Sequence, residues 1–323
     1  MKLIPAVVLV SVVVAASRLI AAEAKPIERQ AFGTYAALQQ GDVIELWSEG
    51  VPGQSPQDGP DLIKKEQNES HLYHVHRPIL SVALPAHGKA NGTAMIVCPG
   101  GGYVRLPVSS AQGSEAKWLT SLGITTFVLT YRLGDSGTYA PLQDVTRAIR
   151  LVRQMGRTQG IDPDRIGVLG GSAGGHLSAW ASTAYDDPAA KTGSPLDKIS
   201  ARPDFAIMLY PVITTQIPYA HGGSRRALIG RSPTPEQIQA TSMELHVTAQ
   251  TPPSFIVSTE ADKSVPQENA MMYYEALMRA KVPAELHLYE LGPHGFGFRK
   301  DLGTTSLWPS RAEAWMRSHN WIP

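Results

Sequence analysis

The chain has one cysteine, Cys98, among 323 residues, so no disulfide can form within it. Charged residues make up only 18% and the formal net charge is +1, which argues against the basic surface that binds nucleic acid. Apart from His71, His74 and His76 the histidines are scattered, and none has the His-x-x-x-His spacing of a helical metal site. We therefore predict no bound metal and no nucleic-acid partner. Without a disulfide, stability must come from the core, and 43% hydrophobic residues are enough to form a large one.

The sequence also lacks an apolar run of about 20 residues, the length that a membrane-spanning helix needs. One basic residue is followed by an apolar run that ends before Arg18, and small residues stand at Ala22 and Ala24. This layout predicts a secretory signal peptide over residues 1–24, cleaved before Lys25, with a membrane anchor as the alternative. We expect a secreted or periplasmic protein with no membrane contact after cleavage, and the sequence does not indicate its oligomeric state.

Residues 25–70 are polar and rich in Gly and Pro, as is typical of an extended segment that wraps over a surface. In residues 71–323, apolar runs alternate with stretches of helical period, which predicts one α/β domain with a mostly parallel central sheet flanked by helices. Residues 214–253 break this alternation and predict a short lid-like insertion. The predicted strands cover residues 78–84, 94–98, 125–131, 166–169, 205–210, 255–259 and 285–289.

One predicted helix separates two of the central strands. In residues 144–152 the apolar side chains form a single stripe and the arginines lie on the opposite side. The strands at 94–98, 125–131 and 255–259 contain continuous apolar runs, as expected for strands that helices cover on both faces. These strands are therefore predicted to lie in the centre of the sheet.

The strongest local pattern is Gly-Gly-Ser-Ala-Gly at residues 170–174, a G-x-S-x-G motif centred on Ser172. A short apolar strand precedes it and a run of small residues that begins a helix follows. This context predicts a tight strand-to-helix turn that exposes a nucleophilic serine, as in the α/β-hydrolase fold. The alternative is a glycine-rich loop that arose by chance.

A serine hydroxyl needs a base to accept its proton and a carboxylate to orient that base. In this fold the acid and the histidine follow the serine in that order along the chain. Asp262 lies after the strand at 255–259, and Glu260 is the competing carboxylate. His294 lies in a glycine-rich loop one βα unit later. We predict Ser172, Asp262 and His294 as the catalytic residues.

Acyl transfer also requires backbone amides that stabilise the negative oxygen of the tetrahedral intermediate. One should come from Ala173, directly after the nucleophile, and others from a loop at the end of an earlier strand. The Pro-Gly-Gly-Gly-Tyr segment at 99–103 has this position, and Gly101 and Gly102 are the predicted donors. A phosphate-binding loop is the alternative, but neither of its glycine-rich motifs is present here.

Other side chains have less specific assignments. His176 and Cys98 are interpreted as core residues rather than reactive ones. Three rings could contact an acyl group or a sugar, although packing is the alternative for each of them. These predicted substrate-binding residues are Tyr103, His221 and Trp308.

With these residues in place, the chain resembles the acetyl xylan esterase and feruloyl esterase-like branch of the α/β-hydrolases, which is related to the hormone-sensitive-lipase-like esterases. The resemblance covers roughly residues 46–315. The lipase-like relatives have His where Pro99 stands, and the family usually has paired aspartates where this chain has Ala261 and Asp262. The matching segments are residues 99–103, 131–132, 143–148, 160–167, 170–177, 262–266 and 294–296.

The resemblance implies an esterase that needs no cofactor and removes acetyl or other short acyl groups from plant polysaccharides or small acylated sugars. The insertion at 214–253 is too short for a large lipid-binding cap, which also favours short acyl groups. An exported peptidase or a lipase-like esterase of the same fold is the alternative within hydrolases. A hydrolase fold that serves only as a binding module is the alternative from another class.

Overall fold

The structure is a computed structural model, and it describes residues 37–54, 61–66, 69–108 and 113–323. The predicted signal peptide at 1–24 lies outside the described residues, as does part of the predicted wrapping segment. The strands are β1 (Val43–Glu45), β2 (Leu62–Glu66), β3 (Glu69–Tyr73), β4 (Ile79–Ala83), β5 (Ala94–Cys98), β6 (Leu106–Pro107), β7 (Thr125–Thr130), β8 (Ile166–Gly171), β9 (Phe205–Leu209), β10 (Ser254–Thr259) and β11 (Ala284–Tyr289).

The central sheet has eight strands in the order β1-β4-β7-β5-β8-β9-β10-β11. The six strands from β7 to β11 in this order run parallel, whereas β4 pairs antiparallel with β7 and β1 pairs antiparallel with β4. Strands β2, β3 and β6 form a separate antiparallel sheet. The mostly parallel sheet is the architecture that the alternation of strands and helices predicts, and every predicted strand is present within two residues of its expected ends.

Helices cover both faces of the central sheet. They are α1 (Ser114–Ser121), α2 (Ala140–Gly156), α3 (Ala173–Thr183), α4 (Gly222–Ile229), α5 (Pro235–Ala240), α6 (Glu268–Arg279) and α7 (Trp308–Ser318). On one face, α2, α3 and α6 pack against the sheet, and on the other face α1 and α7 do so. Strand β5 is buried along its whole length because Ile96 faces the first group of helices while Met95 and Val97 face the second. The predicted insertion at 214–253 contains α4 and α5 and joins β9 to β10.

The predicted domain boundary at residue 71 differs from the structure. Strand β1 extends the central sheet, and Ile44, Leu46 and Trp47 are buried in the same core as the helices. This part of the predicted wrapping segment is therefore integral to the α/β domain. The sequence pattern missed it because β1 has only three residues and depends on pairing with β4 rather than on an apolar run of its own.

The arginine face of α2 is also covered rather than exposed. Arg147 donates to the carbonyl oxygen of Leu46 at 2.9 Å, and Arg150 pairs with Asp197 at 3.0 Å. Both arginine side chains are only 2% exposed. The arginines of this helix thus donate hydrogen bonds to neighbouring segments of the chain. An amphipathic pattern alone would have placed them in solvent.

A buried ion pair connects α2 to the segment after β7. The carboxylate of Asp144 accepts from the guanidinium of Arg132 at 2.8 Å, from the Arg132 backbone amide at 2.7 Å and from the indole N–H of Trp47 at 2.7 Å. The two charged side chains are 0% and 1% exposed. Every oxygen of the carboxylate therefore has a donor, as a buried charge requires.

We expect Asp144→Asn to lower the free energy of unfolding by about 3 kcal/mol, because it leaves the buried Arg132 guanidinium without a counter-charge. Urea unfolding followed by circular dichroism measures this loss. Asp301→Asn is the matched control, since Asp301 pairs with Arg299 at the surface and its loss should leave the unfolding midpoint unchanged. Equal midpoints for the two variants would contradict the role given to Asp144.

Candidate active site

Ser172 lies in the turn between the carboxyl end of β8 and the start of α3. Its backbone has φ 56° and ψ −123°, a conformation that residues other than glycine rarely adopt. Such a turn directs the hydroxyl away from the sheet. Small neighbours are needed because a Cβ on Gly174 would lie 1.9 Å from the carbonyl oxygen of Cys98. The spacing of glycines in the motif is thus explained by close approach of the backbone.

His294 connects the serine to a carboxylate. Its Nε2 lies 2.8 Å from Oγ of Ser172, and its Nδ1 lies 2.7 Å from Oδ2 of Asp262. The three residues come from the ends of three different strands of one sheet, so the fold and not the local sequence brings them together. This is the geometry that a serine nucleophile, its general base and an orienting carboxylate require.

The carboxylate of Asp262 is held by the turn that follows β10. Its Oδ1 accepts from the amides of Ser264 at 2.8 Å and Val265 at 3.0 Å, which leaves Oδ2 for His294. Burial by itself would raise the pKa of Asp262, but the hydrogen bonds from His294 and from these two amides outweigh it and lower the pKa below its ordinary value. Asp262 therefore stays ionised at neutral pH. Glu260, the competing carboxylate, has an exposed side chain.

The glycine-rich loop after β5 lies against the serine turn. Gly101 has φ +141°, and a Cβ there would lie 1.9 Å from the carbonyl oxygen of Arg105, so only glycine fits. The hydroxyl of Tyr131 donates to the carbonyl oxygen of Pro99 at 2.7 Å and anchors the start of the loop. Within the described ranges, the amides of Gly101 and Gly102 donate to no protein acceptor. They remain available to a ligand.

Ala173 supplies the third predicted amide. It is the first residue of α3, where a backbone N–H has no acceptor within the helix. The positive end of the helix dipole lies at the same point, beside Oγ of Ser172. Together with the glycine loop, this arrangement could stabilise a negative oxygen on a carbonyl carbon attacked by the serine.

A cavity of about 770 Å³ opens onto these residues. Ser172, His294, Gly101 and Gly102 line it, and His221 of the insertion lies on its wall. A smaller depression of about 570 Å³ lies between β11 and α7 and includes none of the predicted site residues. The larger cavity is therefore the space where a substrate could reach the serine.

Two of the predicted substrate contacts are wrong. Tyr103 is 1% exposed and its hydroxyl lies 2.8 Å from Nδ1 of His176 in the core. Trp308 is 0% exposed, and its indole N–H donates to the carbonyl oxygen of Gly297 at 2.7 Å. Both rings pack beneath the loops of the site, because their polar atoms find partners inside the protein and their rings fill the core. Only His221 of the three lines the cavity.

Tyr210 is a residue of the site that the sequence interpretation missed. It lies just after β9, has φ 37°, and its ring packs edge-on against His294 with centroids 5.1 Å apart. It also lines the cavity. Its position after the carboxyl end of a parallel strand, where sites in such sheets form, was the available indication.

Two buried groups near the site do not take part in the arrangement. Burial raises the pKa of the Cys98 thiol to about 12, although a hydrogen bond with Ser178 opposes this, so the thiol stays protonated. His176 is fully buried, with Nε2 donating to the carbonyl oxygen of Thr241 at 2.9 Å. Burial lowers the pKa of His176 to about 4, and the Thr241 hydrogen bond only partly offsets this.

We expect His176 to make the protein less stable in acid. Its pKa of about 4 in the folded chain lies below the ordinary value of 6.5, so the unfolded chain binds a proton that the folded chain excludes. Stability is therefore lost as pH falls from about 6.5 to about 4, by about 3 kcal/mol in total, with no further loss from this group below that range. Urea unfolding at several pH values should show a weaker pH dependence in His176→Gln. Parallel profiles for the variant and the native chain would contradict this assignment.

No helix in the described ranges is long and apolar enough to cross a membrane. Across the same part of the chain, no group of three or more His, Cys, Asp or Glu side chains is placed to hold a metal ion. His71, of the histidines considered as possible metal ligands, lies on the wall of the cavity beside Ser172.

Comparisons with known proteins give one matching family and several relatives. The family model described as BD-FAE matches residues 80–277. The Endo-1,4-beta-xylanase B of Butyrivibrio fibrisolvens is 36% identical over 213 residues, which cover 64% of this chain and 33% of that protein. The Acetylxylan esterase of Xylanibacter ruminicola is 35% identical over 212 residues, which cover 64% of this chain and 42% of that protein. The chain thus spans less than half the length of either relative.

A solved structure agrees over nearly its whole length. The acetyl ester-xyloside bifunctional hydrolase from Caldicellulosiruptor lactoaceticus superposes with a TM-score of 0.76 at 36% sequence identity. The match covers 88% of this chain and 99% of that one. The architecture described above is therefore shared over most of this chain.

Proposed function

The chain belongs to the BD-FAE family of α/β-hydrolase esterases, and from this premise we propose that it is a serine carboxylic ester hydrolase acting on short acyl esters of carbohydrates. The observation that supports it most is the double contact of His294, 2.8 Å from Oγ of Ser172 and 2.7 Å from Oδ2 of Asp262. This contact lies at the wall of a cavity large enough for a sugar ester.

In the first half of the proposed reaction, Nε2 of His294 accepts the hydroxyl proton of Ser172 as Oγ attacks the ester carbonyl carbon. The amides of Gly101, Gly102 and Ala173 donate to the negative oxygen that forms. The carboxylate of Asp262 stays ionised and stabilises the imidazolium of His294 through Nδ1–H. As the tetrahedral intermediate breaks down, His294 returns the proton to the leaving alcohol oxygen, and the acyl group remains on Ser172.

In the second half, water takes the place of the alcohol. His294 accepts a proton from the water as its oxygen attacks the acyl-enzyme carbonyl carbon, and the same amides stabilise the second negative oxygen. Breakdown returns the proton to Oγ of Ser172 and releases the carboxylic acid. Each residue is thus regenerated, and one turn of the proposed cycle consumes one ester and one water.

The proposed substrates are acetylated plant polysaccharides or small acylated sugars. Two relatives carry the names acetylxylan esterase and acetyl ester-xyloside hydrolase, which supports an acetyl group and a pentose-based alcohol. The insertion at 214–253 contains the short helices α4 and α5 and one 3-10 turn at Met243–Leu245, too little chain for the large apolar cap that long acyl chains need. The wall of the cavity includes polar side chains suited to hydroxyl groups, among them His71, Arg105, Glu115 and His221.

Hydrolysis of 4-nitrophenyl acetate, butyrate and octanoate, together with acetate release from acetylated xylan, tests this proposal. We expect the highest kcat/KM on the acetyl ester and acetate release from the polysaccharide. A preference for the octanoyl ester would contradict the carbohydrate assignment while leaving the serine mechanism intact. Failure to hydrolyse any of these esters would contradict the mechanism as well.

We further propose that the protein is exported, with residues 1–24 as a cleaved signal peptide, because a basic start, an apolar run and Ala22 and Ala24 have the order that signal peptidase recognises. Mass spectrometry of the chain recovered from the periplasm of a Gram-negative host should give an N-terminus at Lys25. Val13→Arg interrupts the apolar run and should leave an uncleaved chain in the cytoplasm. Retention of residues 1–24 in the native chain would contradict this proposal.

A further inference from the structure

His221 caps helix α4 through its ring. The amide N–H of Ser224 donates to Nδ1 of His221 at 3.2 Å, and the Ser224 hydroxyl lies 2.8 Å from the same nitrogen. Because an amide N–H can only donate, Nδ1 must be the acceptor. A neutral imidazole with Nδ1 as acceptor has its hydrogen on Nε2. The cap therefore fixes one tautomer of His221.

The Nε2–H of His221 is accessible to solvent. No described residue accepts a hydrogen bond from this N–H, and the nitrogen is not among the fully buried ones. The ring lines the same cavity as Ser172 and His294, and its Cε1 lies 4.0 Å from the position that a Cβ on Gly102 would occupy. An ordered N–H donor thus lies on the cavity wall beside the glycine loop.

The segment that carries His221 is fixed to the core. Asn269 is fully buried, and its side chain accepts from the amide of Ile213 at 2.9 Å and donates to the carbonyl oxygen of Tyr219 at 2.9 Å. Arg225, in the first turn of α4, donates to the carbonyl oxygen of Thr215 at 3.0 Å. These contacts hold both ends of the segment, so the direction of the His221 ring is determined before a substrate binds.

His221 remains uncharged at neutral pH. Burial, and then the proximity of His294, lower the pKa of His221, while Asp262 has a smaller opposing effect. Protonation would also place a hydrogen on Nδ1, where it would displace the Ser224 amide, and would put a positive charge at the positive end of α4. A neutral N–H donor matches a hydroxyl or ether oxygen.

The position of the donor relative to His294 indicates which part of the substrate it meets. In the proposed reaction, the leaving alcohol oxygen must lie beside Nε2 of His294 because it receives its proton there. His221 and His294 line the same cavity, and the His221 ring lies beside the glycine loop that faces Ser172. A sugar whose acylated oxygen lies at His294 therefore extends along the wall that carries His221.

We propose that His221 is a specificity-determining residue, whose Nε2–H donates to a hydroxyl or ring oxygen of the sugar next to the acylated position. The assignment rests on the proposed esterase function and deepens it: it explains how one site would prefer sugar esters to esters of apolar alcohols. An apolar alcohol would displace the water that binds this N–H and would offer no acceptor in its place. The unpaired donor therefore weakens binding of an apolar alcohol relative to a sugar.

The test compares two acetates of six-membered rings that differ in their oxygens. The substrates are an acetylated methyl xyloside and cyclohexyl acetate, and the full native chain is compared with His221→Ser. Serine retains a side-chain oxygen that can cap α4 but removes the donor from the cavity. We expect kcat/KM for the xyloside to fall about tenfold or more, and that for cyclohexyl acetate to change less than about threefold.

His246→Ser is the matched control, because His246 belongs to the same insertion and does not line the cavity. It should leave both values unchanged. An equal loss on the two acetates in His221→Ser, or no preference of the native chain for the xyloside, would overturn the role of His221. In either case hydrolysis of 4-nitrophenyl acetate by the native chain would still support the esterase function, whereas its absence would contradict that function itself.

Discussion

Replacing Ser172 with alanine should reduce kcat on 4-nitrophenyl acetate by about a thousandfold or more. The variant loses the oxygen that forms the acyl-enzyme, and among the described residues that line the cavity no other nucleophile lies within hydrogen-bond distance of His294. Cys98 is buried and its thiol is protonated, since burial raises its pKa to about 12. The residual rate should come only from water activated by His294 near the amides of the glycine loop.

The fold of Ser172→Ala provides the control for this measurement. Oγ contacts His294 at the wall of an open cavity, so its removal leaves no buried group without a partner. The unfolding midpoint should therefore match that of the native chain. Equal turnover by the two proteins would contradict the proposed mechanism, and a large loss of stability would show that the turn needs the serine for its structure.

The α/β-hydrolase fold could be predicted from the sequence, and the comparisons confirm it together with the resemblance to acetyl xylan esterases. Strands buried on both faces leave continuous apolar runs, so β5 was predicted with its observed ends. Strands β1, β2 and β3 were missed because pairing with other strands stabilises them. Polar residues such as Lys64 and Lys65 occupy positions in β2 that no apolar pattern marks.

The positions of the three predicted catalytic residues could be inferred from the order of the strands rather than from apolar patterns. The order of Ser172, Asp262 and His294 along the chain reflects the order of the strands, and parallel strands bring their carboxyl ends to one edge of the sheet. The sequence contains no comparable information on which face of a loop an aromatic residue takes. Tyr103 and Trp308 were therefore placed at the substrate although they are buried beneath the loops.

The choice between Asp262 and Glu260 leads to the second large effect. Asp262→Asn should lower kcat by about a thousandfold or more, whereas Glu260→Gln should change it less than about threefold. Steady-state kinetics on 4-nitrophenyl acetate measures both. Each variant replaces a carboxylate by an amide of nearly the same shape. Both variants remove one negative charge, so a difference in kcat between them reports where that charge is needed.

The contacts of Asp262 explain why a change of one atom should have so large an effect. Oδ1 accepts two backbone amides, from Ser264 and Val265, so an asparagine must keep its carbonyl oxygen at that position. Its NH2 group would then face Nδ1 of His294, which can accept this hydrogen bond only in the tautomer with the hydrogen on Nε2. In that tautomer Nε2 cannot accept the proton of Ser172, and the nucleophile is not activated. Glu260 is exposed and forms no such contact, so a larger loss in Glu260→Gln than in Asp262→Asn would contradict the assignment of Asp262.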